Sequence, residues 1–340
     1  PLYHTSLYMM AEFAKGQFFA AMEFRHDVIV FLAQAFGELR NVEHLHRLLT
    51  IPVPYVSSSD DFQFEVSAYG IIGRELFKIK GEEGINDVLV SSEESSSHWQ
   101  PLLLSNLAWA IHTVSPKDPK CANLLKQAIS AIDEVIREIE KEPEFTMMGR
   151  RIDKSGDWGD VVTSLSILGN TICVTEMDHD HTELFNSAVE FARRISKDER
   201  RENSLSFIAY MLASCGSYPE ATQLALSIVD KNIRDAAIEK IAEAMVRSGQ
   251  FLLAIETSIH HTNPGESLGS TFSVNLAGFD GFSNMRKSTI VTQSFRSCAT
   301  RDTNNFWQCF RAILPLIERI NANLLVDSWK QIQRVDYIVG

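Results

Sequence analysis

The stretch Leu205-Ser206-Phe207-Ile208-Ala209-Tyr210-Met211-Leu212-Ala213-Ser214-Cys215-Gly216-Ser217-Tyr218-Pro219-Glu220-Ala221 decides the fold. Shifted by 33 residues, it falls into register with a second copy of itself. Leu205, Ile208, Ala209, Leu212, Gly216, Tyr218 and Ala221 then meet Ile238, Ile241, Ala242, Met245, Gly249, Phe251 and Ala254. The three-and-four spacing of the first four positions is that of a helix with one buried face. The glycine supplies the left-handed residue that ends such a helix. The aromatic fills the corner after it, and the alanine begins a second helix that must approach the first closely. Each copy therefore reads as helix, tight turn, helix.

A more divergent copy precedes these two. Ser187-Ala188-Val189-Glu190-Phe191-Ala192 matches Glu220–Ala225 at the same shift, and Ser164–Gly169 matches Ser204–Ala209 at a shift of 40. The difference is an insertion in the turn around Met177–Thr182. The repeats thus cover about 160–262.

Large-x-x-large-small-x-x-large followed by Gly-x-aromatic-x-x-Ala resembles the tetratricopeptide repeat, whose usual period is ~34. The resemblance rests on Leu205, Ile208, Ala209, Leu212, Gly216, Tyr218, Ala221 and their partners. The chain departs from that family in its shorter period. Ile228 or His261 also stands where a small residue is usual, and only Pro264 approximates the closing proline. The resemblance implies an all-α, right-handed α-solenoid of antiparallel helix pairs. It also implies a groove lined mainly by the first helix of each pair, and hence a protein- or peptide-binding scaffold. On that groove face lie Asn203, Phe207 and Tyr210, with Ala236, Lys240 and Glu243 one repeat on and Arg247 nearby. The lysine and asparagine pattern with which chaperone-binding members clamp a terminal carboxylate is missing, so that ligand is not expected.

Elsewhere the chain is also helical in pattern. Leu124, Leu125, Ala128, Ile132, Val135, Ile136 and Ile139 form one stripe, and Phe306, Phe310, Ile313, Leu314, Ile317 and Ile320 another. Strand-type alternation is scarce. Two prolines and a serine run at 51–60 interrupt the helices, and Pro264, Gly265, Gly269, Gly278 and Gly281 do so again. These breaks give an N-terminal helical segment over 1–56, repeats over 57–262, a Gly/Ser/Phe-containing loop over 263–288 and C-terminal helices over 289–340. All four are expected to form one continuous solenoid. Fainter helix pairs are read at 62–90, 99–141 and 303–338. Ser91–Ser97 and the Gly- and Asp-rich run Gly156–Asp160 read as turns.

Composition narrows the function classes. The 340 residues are 45% hydrophobic and 22% charged, which is globular rather than disordered. No apolar run approaches the ~18 residues of a membrane span. Asp and Glu outnumber Lys and Arg 44 to 32, for a net charge of −12. The excess lies in residues 61–280, while 281–340 are basic. A nucleic-acid-binding repeat is disfavoured by that sign; the acidic middle reads as helices solvated by Glu and Asp, with the steering of a basic partner as the alternative. The five cysteines, Cys121, Cys173, Cys215, Cys298 and Cys309, form no Cys-x-x-Cys pair. With no leader pattern at Pro1, they suggest a cytoplasmic protein.

Signatures of nucleotide binding, zinc proteolysis and serine hydrolysis are absent, so no enzyme activity, metal or cofactor is expected. The alternative is an all-α enzyme or metal-dependent hydrolase that uses Asp178-His179-Asp180-His181 and Glu183, residues able to ligate a divalent ion, or the 263–288 loop. The same residues read as a solvated turn in which Asp180 or Thr182 caps a helix. Asp60-Asp61, Glu82-Glu83 and Glu93-Glu94 read as paired carboxylates in exposed loops. His44, His46, His260 and His261 read as structural or surface histidines, and Arg193, Arg194, Lys197, Arg200 and Arg201 as cations at a helix end.

Overall fold

The computed structural model describes residues 22–49, 59–92, 100–141, 146–147, 150–151, 155–175 and 180–262, with positions 267, 283, 287 and 290. The protein is all-α. Among the described residues are α1 (Met22–Glu38), α2 (Val42–Leu49), α3 (Ser59–Lys80), α4 (Glu82–Ser92), α5 (Gln100–Val114) and α6 (Pro119–Lys141). They are followed by α7 (Ser155–Val174), α8 (His181–Arg194), α9 (Asp198–Ser214), α10 (Tyr218–Leu226), α11 (Lys231–Arg247) and α12 (Phe251–Ser258). Between α6 and α7 lies a two-residue antiparallel pairing, Thr146–Met147 with Arg150–Arg151.

The chain divides into two compact units, Pro1–Ser204 and Leu205–Gly340, the division falling within α9. In the first, α1 packs on α3, α3 on α5 and α5 on α7. Each of these helices also packs on its successor in sequence, as α1 on α2, α3 on α4, α5 on α6 and α7 on α8. The expected stripe of α6 buries Leu124, Leu125, Ala128, Ile132, Val135 and Ile139. Each of the leucine, isoleucine and valine side chains contributes about 1.5–3 kcal/mol on burial. Helices α3 and α4 approach closely at Gly84, where an added Cβ would lie 2.6 Å from the backbone of Leu76. Only glycine admits that contact.

In the second unit α10 packs on α11 and α11 on α12. Here the 33-residue register recurs bond by bond. Helix α9 ends when Ser217 N–H reaches the Leu212 carbonyl and Gly216 N–H the Ala213 carbonyl. Helix α11 ends identically, Gln250 on Met245 and Gly249 on Val246. This paired closure uses the last orphan carbonyls and needs a left-handed residue, which Gly216 (φ 83°) and Gly249 (φ 79°) provide. Leu205, Ile208, Ala209, Leu212 and Ala221 are buried, as are Ile238, Ile241, Ala242, Met245 and Ala254. The divergent copy joins the register at its second helix: Ala188, Ala192 and Ile195 are buried, like Ala221, Ala225 and Ile228. The guanidinium groups of Arg201 and Arg234 donate to the carbonyls of Ile195 and Ile228 at 3.3 and 3.5 Å, one bond per copy.

The register extends past α12. Lys287 N–H donates to the Ser283 carbonyl at 3.0 Å, matching Ala254 to Gln250 and Ala221 to Ser217. Ser267 and Lys287, in the stretch read as a loop, are helical and buried, and Ser267 Oγ reaches Ser258 Oγ of α12 at 3.3 Å. The remainder of 263–288, the C-terminal helices over 289–340 apart from Ile290, and the pair at 303–338 lie outside the described residues.

Two local readings are corrected. Asp60-Asp61 and Glu82-Glu83 do not lie in loops but open α3 and α4; Glu82 and Glu83 stand in the first turn of α4, where carboxylates favour the unpaired N–H groups of a helix start. Glu93-Glu94 lie outside the described residues. Gly156–Asp160 is no turn, because α7 already begins at Ser155. Trp158 and Val161 are buried there, and their packing outweighs the poor helix propensity of glycine.

Candidate functional site

The residues expected on the binding face come from α9 and α11. Their positions follow from the buried stripe, since residues between the buried ones point away from it. Phe207 and Tyr210, one turn apart on α9, are half-buried, and so is Glu243 on α11. Lys240 and Arg247 are exposed. Asn203 is also exposed but belongs to the first unit.

The structure brings Lys240, Glu243 and Arg247 together on consecutive turns. Arg247 Nη2 lies 3.7 Å from Glu243 Oε2, an ion pair at the outer edge of contact. Burial pushes the Glu243 carboxyl above its ordinary range; Arg247 opposes the shift and Glu239 adds to it. Phe207 and Tyr210 take the register positions of Lys240 and Glu243. The first repeat thus offers two aromatic rings where the second offers charge.

No protein-family model matches the chain, and no curated protein matches it.

The alternative metal segment is engaged otherwise at its described positions. Asp180 caps α8, accepting from Thr182 N–H at 2.9 Å, and that bond holds its carboxyl below the usual range. His181 meets Phe185 edge-on at 6.4 Å, and Glu183 is exposed. Asp178 and His179 lie outside the described residues. Among the described residues, no group of three or more His, Cys, Asp or Glu side chains could hold a metal ion. No described helix is long and apolar enough to cross a membrane.

Three polar constellations have no counterpart in the sequence reading. Asp87 on α4 is shared by His46 Nε2 of α2 at 2.8 Å and Lys80 Nζ of α3 at 2.7 Å, and Lys80 also reaches Glu83 at 2.9 Å. Partial burial works to raise the Asp87 carboxyl, but the bonds from Lys80 and His46 overcome it and hold it low. Glu75 is buried in α3, held by Arg74 at 2.8 Å and Lys78 at 2.9 Å. Trp158 of α7 stacks on Phe191 of α8 at 5.1 Å and 11°. The Arg194 guanidinium lies 5.1 and 4.6 Å from those two rings while Nη1 donates to Glu140 at 3.0 Å. Of these, the i,i+3 spacings of Glu75 with Lys78 and of Lys80 with Glu83 were the local signals. The bonds of His46 to Asp87 and of Arg194 to Glu140, and the stacking of Trp158 on Phe191, join residues far apart in sequence.

Proposed function

We propose that this chain is a helical-repeat scaffold that binds a protein or peptide, rather than an enzyme. It would work in the cytoplasm. The observation carrying this reading is the bond-by-bond recurrence of caps, turns and burial at 33 residues. That recurrence agrees with a tetratricopeptide-like, right-handed α-solenoid of antiparallel pairs, and the stacking of alternate helices in the first unit supports it. Repeats of this kind line a concave groove with the first helix of each pair, and a ligand can lie in it. Here those first helices carry Phe207 and Tyr210 on α9, with Lys240, Glu243 and Arg247 on α11. The assignment from architecture to binding is one of analogy. The anchors themselves are chemical: rings that a ligand would desolvate, and charges that would fix its register.

Affinity capture with the wild-type chain and with Phe207→Ala/Tyr210→Ala tests this reading. A shared set of partners should be recovered by the wild type and lost from the double variant at unchanged thermal stability. Equal recovery by both would refute the assignment of this face.

A further inference from the structure

We draw no further inference here: the strongest candidate, the exposed apolar side chains of Leu226 and Val229 at the end of α10 and of Leu252 and Leu253 at the start of α12, carries none, because nothing in the structure shows what covers them.

Discussion

The phenol of Tyr218 hydrogen-bonds the hydroxyl of Ser248, which links the turn of one repeat to the end of the next repeat's first helix. Its register partner, Phe251, is buried and has no hydroxyl. Tyr218→Phe should therefore keep the packing and lose only this bond. We expect a loss of about 0.5–1 kcal/mol, the lower part of the range for one hydrogen bond, because the pair is exposed. Urea denaturation of the full chain gives the value. A loss above ~2 kcal/mol would mean that the ring packs differently from Phe251.

Three of the left-handed positions, Gly216, Gly249 and Arg40, make predictions of opposite signs. Gly216 and Gly249 have open space where a Cβ would lie, so alanine is penalised there by backbone conformation alone. Gly216→Ala or Gly249→Ala should each cost about 1 kcal/mol. Helix α1 closes in the same way, with Asn41 N–H on Phe36 and Arg40 N–H on Gly37. There the left-handed position holds Arg40, with φ at 51°. Arg40→Gly should stabilise the protein by about 0.5–1 kcal/mol, after the extra freedom glycine gives the unfolded chain. Thermal melts of the three variants should separate in these directions.

Gly84→Ala tests the contact between α3 and α4. The added methyl would meet Leu76 backbone atoms, which cannot rotate away as a side chain can. Overpacking of this kind costs about 1–3 kcal/mol. A melt indistinguishable from wild type would show that the helices stand further apart.

The Asp87 network sets a pH dependence. Because the folded state holds this carboxyl low, its contribution is present above the usual carboxylate range and fades as pH falls through the lowered value. Lys80 is raised, chiefly by its bond to Asp87 and then to Glu83, so its contribution is present at neutral pH and fades only as pH rises through the raised value. Asp87→Asn should lower stability by roughly 0.5–1 kcal/mol at pH 7. The difference from wild type should shrink when both are measured near pH 3. A difference that grows on acidification would contradict this sign.

What was legible in the sequence was whatever repeats locally. The α6 stripe, the glycine caps at Gly216 and Gly249, and the Asp180 cap follow from spacing within a few turns. The corner after α1 was silent, because Arg40 occupies a cap position that glycine would have announced. The pairings of His46 with Asp87 and of Trp158 with Phe191 join distant residues, and nothing local encodes them. At the candidate face, register alone identified Phe207, Tyr210, Lys240, Glu243 and Arg247. The partial burial of Glu243 emerged only from packing, as did the stacking of Arg194 over Trp158 and Phe191. Asn203 was placed by register too, yet falls in the other compact unit.

The central claim is that partners contact the outer face of α9. Site-specific photo-crosslinking tests it most directly, with a benzophenone side chain in place of Tyr210 and, as control, in place of the exposed Glu190 of α8. Crosslinked partners obtained from position 210, absent from 190 and suppressed by Phe207→Ala, are the predicted result. Equal crosslinking from both positions, or none from 210 while partners are still captured, would contradict the account.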